Sequence, residues 1–374
     1  MSTFPDDDPL DAVLRGEDVR WSALGWTSDK LLDTCAKREI SALVHERRLQ
    51  VQHGDDWPDE VRAELARTAH EAAAMELLRG REIAVVIGAL ASSGVDPILL
   101  KGAPLAYTVY DSPGSRPRAD TDLFVQRDQI EAVKQTMAGL GYVEPPLSGG
   151  ELIFCQFAME KRDRFGVDHA FDFHWKISTQ SVFAGVLTYE ELAAAAAPVP
   201  ALGSCARAAG PVHALLLACV HPAMHHRNVE RPIWLYDVHL LVSRQTEPEL
   251  ERFAASAVEK RMAVICAHQL TLTRARFHTR VPDCVMEKLS ADREVEPSAV
   301  YLQPERRWHH ELASNVRGLG RWTDRLRLLR EVLFPSARYM RQVYQLDGAG
   351  VMLLPALYVH RCVFGAWKIV RGRK

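Results

Sequence analysis

Two short acidic stretches carry the chemistry expected of this sequence. Arg118 to Val125 (R-A-D-T-D-L-F-V), read as a strand, sends Thr121, Leu123 and Val125 to one face and Asp120, Asp122 and Phe124 to the other. The two carboxylates then stand roughly 6 to 7 Å apart at their Cα atoms, close enough for both to reach one divalent cation or a pair of them. Left unpaired they would repel, so a metal or a cationic side chain belongs beside them. Val167 to Ile177 repeats the arrangement, with His169, Phe171, Phe173 and Trp175 on one face and Asp168, Ala170, Asp172 and His174 on the other. A D-x-D motif is short and common, and its plain alternative is a solvated outer face of a half-buried sheet.

Upstream, Pro97 to Leu100 runs into Lys101-Gly102-Ala103-Pro104 and a short helical stretch, Leu105 to Tyr110. A glycine where a strand feeds a helix leaves backbone N–H groups free for an anion such as a triphosphate, and Lys101 adds a full charge. Arg116 and Arg118, just before the acidic strand, suit phosphates equally well, or are ordinary loop residues.

Further along, His221, His225 and His226, with Met224, form H-x-x-x-H on a helix, a spacing that can hold zinc. Pro222 stands where a zinc protease has glutamate, so packing or a substrate-pocket role is the better reading. Asp237, in W-L-Y-D-V, either points into a site or is exposed. Arg317, Arg321 and Arg325, followed by Arg327 and Arg330, predict one helix with a basic stripe. That stripe is either a solvated face paired with Asp324 and Glu331 or a surface for RNA backbone, the second being disfavoured.

The elements that must position these residues change character along the chain. Ser28 to about Gly94 is helical in pattern, with a long helix opening at Pro58-Asp59-Glu60. Strands are expected at Pro97 to Leu100, Thr121 to Val125, Leu152 to Met159 and Val167 to Ile177, with a helix from Arg127 to Leu140. After the alanine tract Ala193 to Ala197, where Glu190 and Glu191 suit a first helical turn, helices return at His213 to His225, Ile233 to Val242 and Pro248 to Thr273. The expected fold is α+β, divided into a helical region 1–94, a small mixed-sheet core 95–200 and a helical domain 201–374.

The 46 basic and 48 acidic side chains nearly cancel, so no global field recruits a polyanion. Seven scattered cysteines without a C-x-x-C pair argue against a disulfide framework or a zinc knuckle. The first twenty residues do not read as a signal peptide, and no stretch reaches the roughly 18 apolar residues of a membrane span. A soluble, cytoplasmic protein is expected.

Taken together, I-L-L-K-G-A-P-L-A, Y-D-S-P-G-S-R-P-R-A-D-T-D-L-F-V and F-D-F-H-W-K resemble the minimal nucleotidyltransferase fold of the polymerase-beta-like superfamily. The closest likeness is to an uncharacterised bacterial branch whose members are often encoded beside peptide or polysaccharide biosynthesis genes. It covers Pro97 to Lys176 and extends toward His213 to Val242. The resemblance implies that Lys101, Gly102 and Ala103, with Arg116 and Arg118, hold the phosphates of a nucleoside triphosphate. It implies Mg2+ (or Mn2+) at Asp120, Asp122 and Asp172, with Asp172 either a ligand of a second ion or the base for the acceptor hydroxyl. His174, His221, His225 and Asp237 are the candidate substrate pocket.

One departure is that Gly102 is followed by Ala103 and Pro104 where most members have Gly-Gly or Gly-Ser, which removes a hydroxyl and an N–H donor. Two rivals therefore stand beside an active transferase with an unknown acceptor: a degenerate nucleotide- or partner-binding protein, and a transferase acting on RNA. Alternation cannot choose between Asp168 and Asp172, but Phe171 and Phe173 anchor the backbone only around Asp172. Asp172→Asn is expected to lose most of the single-turnover rate, with Asp168→Asn milder. The reverse ranking would move the strand register by four residues.

Overall fold

A computed structural model describes the protein over residues 8–145, 155–291, 295–303, 308–319, 321–335, 337, 340, 341, 344 and 352–371. Its centre is one mixed sheet built from β1 (Ile98–Leu100), β2 (Thr121–Phe124), β3 (Gln156–Arg162), β4 (Asp168–His174), β5 (Ala197–Pro198) and β6 (Arg207–Ala208). The strands lie in the order β3-β4-β2-β1-β6-β5. β1 is antiparallel to β2 and parallel to β6, and β2 is parallel to β4.

The longer helices before the sheet are α1 (Pro9–Leu14), α2 (Ser28–Lys37), α3 (Ser41–Leu49) and α4 (Asp59–Ser92). Within the sheet region lie α5 (Gly102–Thr108), α6 (Ile130–Gly139) and α7 (Tyr189–Ala194). After it come α8 (Pro211–His225), α9 (Pro232–Arg244), α10 (Glu247–Glu259), α11 (Ala263–Phe277) and α12 (Asp283–Ser290), then α13 (Trp308–Gly318), α14 (Trp322–Leu333) and α15 (Leu354–Arg371). This is the α+β architecture that the sequence predicts.

Alternation along the strands divides the apolar side chains between two cores. Leu99, Leu123, Phe171 and Phe173 pack against Val86, Ile87 and Leu90 of α4 and Val133 and Met137 of α6. On the other face Ile98, Leu100 and Phe124 join a larger core that holds Leu31, Leu43 and Val61 together with Leu216, Tyr236, Phe253 and Ile265. Helices from before and after the sheet thus share one interior. Asp122 lies one residue from Phe173's partner face and two from Phe124, so it projects toward the helices of this second core.

Three expectations need correction. The strand expected at Leu152 to Met159 runs instead over Gln156–Arg162, and residues 152–154 lie outside those described. The charged Glu160-Lys161-Arg162 extends it because β3 is an edge strand, and the turn to β4 is closed by Asp163, which accepts from the N–H groups of Phe165 and Val167 at 2.8 and 2.9 Å. The single helix expected over Pro248 to Thr273 is two, α10 and α11, because Glu296 reaches across to accept from the N–H groups of Ala263 and Val264 at 3.1 and 3.0 Å. That distant cap satisfies a helix start which periodicity along the chain does not reveal. The arginine stripe is also divided: Arg317 lies near the end of α13, and Arg321 precedes α14, with Gly318 closing the first of these helices.

Other expectations agree with the structure. Thr188 and Glu191 form a capping box that starts α7 at the acidic pair. Cys35, Cys155, Cys205, Cys219, Cys266 and Cys284 are free. No described helix is long and apolar enough to cross a membrane.

One buried ion pair joins the sheet region to the helices behind it. Arg116 donates from Nε and Nη2 to the Asp237 carboxylate of α9 at 2.8 and 2.6 Å, and Tyr110 Oη donates to the same group at 2.7 Å. The loop that carries Arg116 lies flat on α4 at Gly114, where a Cβ would meet the backbone of Ala73 at 2.9 Å. Asp237→Ala leaves the guanidinium buried without a partner and is expected to cost about 3–5 kcal/mol in chemical denaturation. A loss within about 1 kcal/mol, as for an exposed pair, would take this contact out of the framework.

Candidate functional site

The sheet register brings the predicted acids together. Asp122 of β2 lies opposite Leu100 of β1 and opposite Asp172 of β4. With His174 they form a group whose ligand atoms all lie within 4.8 Å of one another. Asp168 stands at the far end of β4, where it approaches Arg162 at 3.8 Å. The site is therefore built around Asp172.

Asp122 is the buried centre. Lys101 Nζ donates to its Oδ1 at 2.6 Å, and His174 Nε2 lies 2.7 Å from the same oxygen. Burial alone would raise the Asp122 carboxyl, but the Lys101 charge and the His174 hydrogen bond outweigh it and hold the group far below the usual carboxylate range. Lys101 stays charged for the reciprocal reason, the pull of Asp122 exceeding the penalty of burial. His174 is driven toward its neutral form by burial and by Lys101, and its Nδ1 is buried without a partner.

Lys101 reaches this position from an unusual backbone. It ends β1 at φ 58 and ψ −133, a region that favours glycine and costs a side-chain-bearing residue about 1–3 kcal/mol. Strain of this kind persists where surrounding contacts over-determine the geometry, and here the Asp122 contact supplies them.

Asp172 carries the opposite shift. Its Oδ2 accepts from Gln156 Nε2 at 3.1 Å. Burial first, then the charges of Asp122 and Asp120, push its carboxyl up to about 7. Asp120 sits at the rim, with solvent on one side and the acid cluster on the other; desolvation and Asp122 raise its carboxyl as well.

The two expected phosphate-binding arginines are already engaged. Arg116 pairs with Asp237 and its guanidinium lies against Gly102, where a Cβ would meet it at 3.3 Å. Arg118 is buried against Glu76 at 2.8 Å and donates to Thr121 Oγ1 at 2.8 Å and to the Asp120 carbonyl at 3.1 Å. Each fixes the backbone next to a predicted site residue.

Beside Lys101 and Gly102 opens a cavity of about 200 Å³ between α5 and the helices α8 and α9. Leu105, Ala218, His221, Trp234 and Leu241 line it, and the Arg116–Asp237 pair forms part of the wall. His221 Nδ1 is buried without a partner. His221 and His225 are both held neutral by burial and by the charge of Lys101, His225 down to about 3. His221 meets Trp234 edge-on and His226 lies tilted against it, with centroids 5.2 and 4.4 Å from its ring.

Sequence reasoning missed the contact between His174 and Asp122, although alternation put His174 on the face of Asp172. It also missed Gln156, Glu76 and Tyr110. Gln156 falls where the expected strand was misplaced, and the other two act from elements far off in sequence.

The arrangement fits a divalent cation. Two carboxylates in register share a face with His174, their ligand atoms within 4.8 Å of one another, and the Lys101 ammonium shows that positive charge is stabilised beside Asp122. Because Asp172 is protonated below about 7, cation uptake must displace that proton and so strengthen as pH rises. Mn2+ titration is expected to show affinity climbing from about pH 6 to about pH 8, with a proton released near neutrality. Asp122→Asn and Asp172→Asn should both weaken uptake, and an affinity indifferent to pH would sink the assignment.

A search among curated proteins finds no match for this chain. A family model described as an uncharacterised nucleotidyltransferase matches residues 26–278.

Proposed function

The chain belongs to the uncharacterised nucleotidyltransferase family, and from that premise we propose that it is an enzyme dependent on magnesium or manganese. It moves a nucleoside monophosphate from a nucleoside triphosphate to a hydroxyl of a small-molecule, peptide or protein acceptor. One observation carries the reading: Asp122 and Asp172 stand in register on one sheet face, at the end of the strand that turns into Lys101-Gly102.

Asp122 and Asp172, with Asp120 at the rim, would hold the cation, which supplies charge neutralisation for the triphosphate and the departing pyrophosphate. Lys101 and the backbone of Gly102 and Ala103 take the phosphates. Arg116 and Arg118 keep that turn and Asp120 in place through the contacts described above. The acceptor oxygen bonds to the α-phosphorus as the bond from that phosphorus to the bridging oxygen breaks, and pyrophosphate leaves with the oxygen. Asp172 would either join the ligands of the cation or, where it stays outside them, take the hydroxyl proton. The cavity lined by His221 and Asp237 supports a pocket for the acceptor, while His174 and His225, the other two expected pocket residues, are not part of its lining.

A second reading rests on the 2.6 Å contact between Lys101 and Asp122, which fills the cation's place with an ammonium. On that reading the protein binds a nucleotide or a partner without transferring anything. The deciding experiment incubates purified protein with labelled ATP, GTP, CTP and UTP and cell extract, with and without Mg2+, and identifies what becomes labelled. Label on a protein or small molecule with pyrophosphate release supports the enzyme, and label on RNA alone moves the acceptor to nucleic acid. Nucleotide binding without transfer, indifferent to Mg2+, favours the second reading. Lys101→Ala is expected to weaken nucleotide binding by about tenfold or more, as loss of one charge-assisted contact does. Reduced stability with unchanged affinity would make Lys101 structural.

A further inference from the structure

The C-terminal helices differ from the rest of the chain in charge and in what they expose. Residues 317–374 hold twelve Lys and Arg against three Asp and Glu, a surplus of nine positive charges in a chain whose formal charge is −2. They lie beyond the region that the family model matches, residues 26–278.

On α14, Trp322 and Leu326 are 68% and 56% exposed at a spacing of four, while Leu328 turns inward. At 100° per residue, Arg325 and Arg330 fall on either side of that outward stripe. α15 carries a second apolar stripe: Met352 just before it, then Val359 and Val363 within it, are 91%, 63% and 63% exposed at spacings of seven and four. α14 touches both α13 and α15, so the two stripes belong to one helical group. Scattered exposed apolar residues need no explanation, but two stripes at helical spacing, the one on α14 bordered by arginine, do.

Three occupants are conceivable, and charge separates them. A second copy of this surface would set Arg325 and Arg330 against themselves. A nucleic acid would satisfy the arginines and leave Trp322, Leu326, Val359 and Val363 in water. An anionic lipid interface takes both, with headgroup phosphates at the guanidinium groups and the apolar stripe sunk into the acyl boundary. No described helix can span a bilayer, so the helices lie on it. We propose that α14 and α15 dock this protein on an anionic membrane surface.

The test floats full-length protein with vesicles of phosphatidylcholine containing phosphatidylglycerol, and with vesicles of phosphatidylcholine alone. Wild type is expected to float with the anionic vesicles, less so at high salt, and to stay behind with the neutral ones. Trp322→Ser with Leu326→Ser, and separately Arg325→Glu with Arg330→Glu, should each cut partition at least about tenfold. All four positions are exposed, so circular dichroism and the melting curve should match wild type and tie the loss to the surface. Failure to float with anionic vesicles overturns the proposal. So does equal binding to neutral vesicles, RNA binding without vesicle binding, or a dimer that Trp322→Ser dissolves in a protein that ignores vesicles.

Discussion

A carboxylate cannot stay ionised inside a protein without positive charge beside it, and Asp122 is buried with two further acids for neighbours. Much of the structure around the site follows from meeting that demand. Lys101 supplies the charge, and to do so it accepts a backbone conformation suited to glycine at the end of β1. His174 adds a hydrogen bond to the same oxygen from the neighbouring parallel strand. With an ammonium already in the cleft, the histidines of α8 that look into it are held neutral, so they offer hydrogen bonds or packing there without adding charge.

The second clamp works at the opposite wall. A buried ion pair rarely adds net stability over a well-packed apolar pair, because desolvation offsets the attraction. What the contact of Arg116 with Asp237 provides is position. It ties a loop of the sheet region to α9 across 121 residues of sequence, and its guanidinium lies close against Gly102, where a Cβ would come within 3.3 Å of it. The pair also forms part of the wall of the cavity beside Lys101.

What was legible in the sequence is what depends on local alternation. Asp120, Asp122 and Asp172 could be placed on one face from the period of a strand, and Phe171 and Phe173 on the other. Lys101-Gly102 announced itself as a turn between a strand and a helix. The rest depends on contacts that no local pattern encodes. His174 meets Asp122 only because β2 and β4 run parallel in one register. Asp237 could equally be read as exposed until its partner Arg116 is known, and the break between α10 and α11 is set by Glu296, more than thirty residues on. The arginine stripe failed for a local reason that was present in the sequence: Gly318 and Gly320 fall between Arg317 and Arg321, and helical spacing was followed across them.

Charge balance bears on which reading of the site is the better one. Asp120, Asp122 and Asp172 would carry three negative charges if all were ionised, and Lys101 returns one. His174 is neutral, so the cluster is short by two positive charges. Asp120 and Asp172 are both raised, by burial first and then by the neighbouring acids, the latter to about 7. Three carboxylates around a single lysine would accept further positive charge, which the proposed divalent cation would supply. In the proposed enzyme the lysine would be the counter-charge that keeps Asp122 ionised while no cation is bound.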